Sequence, residues 1–127
     1  MTTVLMVDDN PADLDEMNKI LTGAGYSTLT QPDGIHILDF LHEHHPDIII
    51  LDLVMPEING IEILREVRQD FPDIPVIMCS AAGLEQVVAL AIRVGASGYV
   101  VKPYQRDELL ESIEKVAGKK EESLIST

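Results

Sequence analysis

Cysteine and positive charge are both scarce in this chain. Cys79 is the sole cysteine in 127 residues, so no intramolecular disulfide can form and no Cys-x-x-Cys metal or redox motif exists. That usage fits a reducing cytoplasm. Lysine and arginine together number 9 against 22 aspartates and glutamates, a formal net charge of −13 and a pI near 4.4. Phosphate backbones and anionic lipid repel so acidic a molecule, which argues against direct contact with nucleic acid or membrane. Cationic partners, metal ions among them, are favoured instead. No apolar run approaches membrane-spanning length, and Met1-Thr2-Thr3 leads straight into an apolar stretch without a basic n-region. A cytoplasmic location is expected. Internal repeats and low-complexity linkers are also missing. What is left is one domain, large enough to bury about two-thirds of its unfolded surface.

What the chain does have is alternation. Short apolar runs at 4–7, 27–30, 48–51, 76–79 and 98–101 alternate with helical patterns near 11–22, 34–45, 60–70, 84–94 and 105–117. Asn10-Pro11 places a capping residue before a proline at the first helical position, and Asp13 sits in the first turn. Asn59 followed by Glu62 reads as a capping box. Gly23, Gly25 and Gly95 stand where helices need a left-handed terminal residue. The last helix carries Asp107 and Glu108 early and Lys115, Lys119 and Lys120 late, which complements its dipole. This order predicts an α/β fold, a doubly wound parallel sheet of five strands with helices on both faces. The domain is placed at 1–118, and the polar stretch 119–127 is expected to be a loose C-terminal tail.

Four of the strand candidates end in a reactive side chain. Val4-Leu5-Met6-Val7 ends in Asp8-Asp9, Ile48-Ile49-Ile50-Leu51 in Asp52, Val76-Ile77-Met78-Cys79 in Ser80, and Gly98-Tyr99-Val100-Val101 in Lys102-Pro103. In an open parallel sheet these ends share one edge, the edge at which ligands bind. Three carboxylates in one pocket repel one another unless a cation neutralises them. Mg²⁺ suits them, because it takes oxygen ligands and keeps waters that a phosphate can replace. Lys102 supplies a point charge for a phosphoryl oxygen, Ser80 a hydroxyl for another, and Asp52 a nucleophile that would form an acyl phosphate. Catalysis of this kind is mostly positioning and charge neutralisation.

These stretches, together with Asn59-Gly60, Ser80-Ala81 and Leu53-Val54-Met55-Pro56 after Asp52, resemble the receiver domain of two-component response regulators, the CheY-like family. The resemblance covers about residues 3–118, with all motifs in order. It implies a flavodoxin-like (β/α)5 sheet in the order 2-1-3-4-5, an order of which CheY-like proteins are themselves examples. It also implies that Asp52 accepts a phosphoryl group from a phosphohistidine on a sensor kinase or histidine phosphotransfer protein. Asp8, Asp9 and Asp52, with the backbone carbonyl of Val54, would hold Mg²⁺, while Lys102 and Ser80 read the phosphoryl oxygens. Tyr99, three residues before the lysine, takes the position of the family's switch aromatic. Ser80 and Tyr99 would remodel the surface of the fourth helix, fifth strand and fifth helix, where an output partner binds. Such a chain catalyses only its own phosphorylation and dephosphorylation, and acts as a monomer or weak dimer. Val54 and Ala82 stand where polar side chains position the hydrolytic water, so slow self-dephosphorylation is expected.

Taken singly, these residues have plainer explanations. Asp-Asp after a strand can be a cap, Asp52 a turn starter, Lys102 a solvated charge, and Tyr99 half-buried packing. Cys79 reads as a small core residue. His36, His42, His44 and His45 invite a zinc reading, and His42 and His45, three apart at a helix end, could share the metal, although cations near a helix C-terminus are favourable without one. Other functions on a similar sheet fit less well. A haloacid-dehalogenase-like phosphatase wants two aspartates at alternate positions after one strand, and a flavodoxin wants a hydroxyl- and glycine-rich phosphate loop where Asp8-Asp9-Asn10-Pro11 stands. Two further readings stay open: a receiver cut from a longer DNA-binding or enzymatic regulator, and a phosphorylation-independent interaction module.

Overall fold

The computed structural model describes residues 2–55 and 58–125, and the side chains at 54, 55, 58 and 118–125 lie outside that description. The elements run β1 (Thr3–Val7), α1 (Pro11–Gly23), β2 (Ser27–Gln31), α2 (Ile37–His44), β3 (Ile48–Asp52), β4 (Val54–Met55), β5 (Ile58–Asn59), α3 (Gly60–Asp70), β6 (Val76–Ala81), α4 (Glu85–Val94), β7 (Gly98–Lys102) and α5 (Arg106–Ile125). The main sheet has the order β2-β1-β3-β6-β7 and is parallel throughout. Counting only its own five strands, that is the expected 2-1-3-4-5 of a flavodoxin-like fold.

Strand periodicity divides the core in two. Leu5, Val7, Ile49, Leu51, Val76 and Met78 point to one face, where they pack with Ile37 and Leu41 of α2, Leu64 and Val67 of α3, and Val88 and Ala91 of α4. Val4, Met6, Ile48, Ile50, Ile77 and Cys79 point to the other, against Met17 and Leu21 of α1 and Leu109 and Ile113 of α5. Strands covered on both faces need apolar side chains at every position, which is why β1, β3 and β6 read as unbroken apolar runs.

Arg68 ties two helix ends together. Its Nε donates to the Gly95 carbonyl at 2.7 Å and its Nη1 to the Phe71 carbonyl at 3.1 Å, satisfying an oxygen beyond α3 and another beyond α4. Gly95 sits at φ +132, a conformation that side-chain-bearing residues rarely adopt, and α4 ends there.

Four local expectations differ from the structure. The second helix begins at Ile37 rather than 34, because Asp33 Oδ1 accepts the Ile35 N–H at 3.0 Å and holds those residues in a turn instead. The last helix continues to Ile125 through the stretch read as a loose tail. One glycine at 118 costs a helix about 1 kcal/mol and does not end it, and no proline follows. Lys115, Lys119 and Lys120 therefore lie away from the last turn, and their match to the dipole is lost. A small antiparallel pair, β4 with β5, stands where the sequence pattern predicts no strand, and Asn59 caps α3 by accepting the Ile61 N–H at 2.9 Å. Gly25 (φ +96) and Gly95 take positive φ, whereas Gly23 is the last residue of α1 and does not.

Candidate functional site

The parallel sheet brings the ends of β1, β3 and β7 to one edge. Beyond Val7 the chain turns sharply: Asp8 Oδ1 accepts the Asn10 N–H at 3.0 Å. Asn10 Oδ1 in turn accepts the N–H groups of Ala12 and Asp13, at 2.9 and 3.3 Å. This nested turn and cap fix the start of α1 and leave Asp8 buried. Asp52 closes β3 and is also buried, while Asp9 stays exposed.

One carboxylate oxygen from each of Asp8, Asp9 and Asp52 lies within 4.8 Å of the others. Hard oxygen donors so grouped fit a divalent cation such as Mg²⁺. Lys102 reaches into the same group. Its Nζ is 2.8 Å from Asp8 Oδ2, 3.0 Å from Asp13 Oδ2 and 3.5 Å from Asp52 Oδ2. Burial of the ammonium works against its charge, but the hydrogen bonds to Asp8 and Asp13 outweigh it and hold Lys102 above the ordinary lysine range.

Strand parity separates the remaining candidates. Residues 8, 52 and 102 continue the side of the sheet covered by α1 and α5, whereas Ser80, Tyr99 and Val101 belong to the side covered by α4. Ser80 is buried, and with Tyr99, Val88 and Leu84 it lines a pocket of about 90 Å³. Tyr99 is 50% exposed, so it is not a core residue. The backbone of Val54 lies in β4, two residues past Asp52, and its side chain is outside the described residues. Ala82 is exposed beside Tyr99 in the same pocket.

Asp13 is the site residue that sequence reasoning passed over. A carboxylate in the first turn of a helix is explained by the dipole, and its partner lies 89 residues away. The histidines do not gather. His42 packs at a tilt against Phe71 and His44 against Phe40, with centroids 4.7 and 4.3 Å apart, and His45 is the left-handed cap of α2. Among the described residues, the group of three or more potential metal-ligating side chains is Asp8, Asp9 and Asp52, with no histidine in it.

Cys79 is buried beside the site, as a small core residue should be. Burial pushes its thiol from 9.0 up to about 12, against the pull of Lys102 and with a further push from Asp52. The folded chain should resist iodoacetamide at pH 8 and react fully once unfolded in urea; rapid alkylation of the folded chain would contradict this burial. Because the folded thiol keeps its proton while an unfolded one loses it above 9.0, Cys79 removes stability as pH climbs from 9.0 toward about 12.

Comparison with known proteins agrees with this architecture. The sequence profile of the response regulator receiver domain matches residues 4–114. Chemotaxis protein CheY of Bacillus subtilis is 36% identical over 113 residues, covering 88% of this chain and 94% of that protein. Chemotaxis protein CheY of Thermotoga maritima is 36% identical over 115 residues, covering 90% and 96%. The DNA-binding response regulator MtrA of Mycolicibacterium smegmatis is 34% identical over 87% of this chain, which spans 48% of MtrA. Among solved structures, NtrX from Brucella abortus matches with a TM-score of 0.94 at 27% identity, over 99% of this chain and 29% of NtrX. A response regulator receiver domain protein from Clostridium thermocellum matches at 0.89 and 28% identity, over 95% and 98%. With a profile match across most of its length, and relatives above 30% identity matched almost end to end, this chain belongs to the CheY-like family of response regulator receiver domains.

Proposed function

We propose that the chain is a phospho-accepting switch of a two-component system, working in the cytoplasm between a sensor kinase and an output partner. The observation that carries this is the meeting of Asp8, Asp9 and Asp52 with the Lys102 ammonium at the carboxyl edge of the sheet. Asp8, Asp9, Asp52 and the Val54 carbonyl would hold Mg²⁺, which when bound neutralises the carboxylates and the charge on the phosphoryl oxygens.

The other steps belong to the protein. An Asp52 oxygen attacks phosphorus, the phosphorus–nitrogen bond of a phosphohistidine breaks, and the imidazole leaves with the electron pair and is protonated. Lys102 shifts from the carboxylates toward a phosphoryl oxygen. Ser80, on the α4 side, donates to another, and its movement lets the Tyr99 ring turn toward the pocket they share. The face formed by α4, β7 and α5 then changes shape; Ile92 and Tyr99, both exposed, supply apolar surface there for the output partner. Valine and alanine at positions 54 and 82 leave water without a polar guide, so the acyl phosphate should be long-lived.

Incubation with acetyl phosphate and intact-mass measurement is expected to give one phosphoryl adduct that requires Mg²⁺. A folded chain that binds Mg²⁺ yet gains no adduct would be a phosphorylation-independent interaction module instead.

A further inference from the structure

One carboxylate at the site has no part in that mechanism. Asp13 Oδ2 shares the Lys102 ammonium with Asp8 Oδ2, at 3.0 and 2.8 Å, yet Asp13 is not one of the three grouped carboxylates. The two partners differ in setting. The Asp8 side chain is 4% exposed, with its other oxygen committed to the Asn10 N–H; the Asp13 side chain is 36% exposed, at the rim. A divalent cation on Asp8, Asp9 and Asp52 would compete with Lys102 for Asp8, because both are cations seeking the same oxygen.

We infer that Asp13 is a positioning residue for metal binding: it holds the Lys102 ammonium when a divalent cation takes Asp8, keeping the lysine paired and close to the phosphoryl position. This rests on the metal reading above. Asp13 acts through the lysine, by offering the displaced ammonium a second carboxylate. The cap formed by Asn10 fixes the first turn of α1, so Asp13 is held in place without rearrangement.

Calorimetric titration of the full chain with Mg²⁺ tests this. Asp13→Asn should weaken binding about three- to fivefold, the scale of a partly exposed charged contact. Asp15→Asn removes the same charge from the same helix at a residue paired with Lys19, and should weaken it less than about twofold. Lys102→Met should tighten Mg²⁺ binding, and in that background Asp13→Asn should shrink to the size of Asp15→Asn. Equal losses for Asp13→Asn and Asp15→Asn, or an undiminished loss without Lys102, would overturn the inference. The first comparison decides even if Lys102→Met fails to fold. Wild type that shows no saturable Mg²⁺ binding would instead sink the metal reading, and this inference with it.

Discussion

Asp52→Asn is expected to abolish the phosphoryl adduct entirely while making the metal-free protein more stable. The amide is nearly the same size, so β3 keeps its place, but its neutral oxygen is no nucleophile toward phosphorus. The gain in stability follows from the neighbours. Asp52 is buried with carboxylate oxygens of Asp8 and Asp9 close by, and the Lys102 ammonium 3.5 Å away is nearer to Asp8 and Asp13. Removing one negative charge from so crowded an edge should stabilise the fold by about 1 kcal/mol, as functional sites often oppose stability. Urea unfolding in EDTA measures this, and intact mass after acetyl phosphate measures the adduct. Added Mg²⁺ should stabilise the wild type more than the variant, because only the wild type keeps all three carboxylates. An adduct of undiminished yield on Asp52→Asn would place the phosphoacceptor elsewhere.

The second large effect is at Gly60. A Cβ there would stand 2.7 Å from the Asp52 carbonyl oxygen, 2.7 Å from the Leu53 carbonyl oxygen and 2.9 Å from Leu53 Cα. All three are backbone atoms at the end of the strand that carries Asp52, and none can swing aside. The Gly60 N–H also donates to the Leu53 carbonyl at 3.2 Å, which holds the start of α3 against them. Gly60→Ala should therefore cost about 1–3 kcal/mol, the range of overpacked buried sites, and slow phosphorylation by shifting Asp52. Gly23→Ala provides the contrast. It lies in α1 with nothing within 4 Å of a new Cβ, so there alanine should stabilise by about 0.5–1 kcal/mol. Urea midpoints moving in opposite directions for the same chemical change is the expected result. A neutral Gly60→Ala would mean that α3 and the end of β3 are free to separate.

Much of this could be read before any coordinates. Asp8, Asp52, Ser80 and Lys102 follow apolar runs, and once those runs are parallel strands their ends must share an edge. The N-cap at Asn10 was equally plain, because its pattern spans only a few residues. The β4–β5 pair was not, since two-residue strands are too short to show a period. Nor was the end of α5, where one glycine and a polar sequence look the same in a helix as in a tail.

By itself, the sequence determined the five β/α units, the two-sided burial of the central strands and the chemistry at their ends. These follow from periods of 2 and 3.6 residues and from single side chains, all of them local. The strand order came from likeness to a family and is now visible in the pairing itself. Only the tertiary structure decided which groups meet: that Lys102 binds Asp13 as well as Asp8, and that Ser80 shares a pocket with Tyr99 on the α4 side. Such contacts join residues far apart in the chain. Their distances are set by strand register and by the packing of helices on two faces, and no local pattern encodes either.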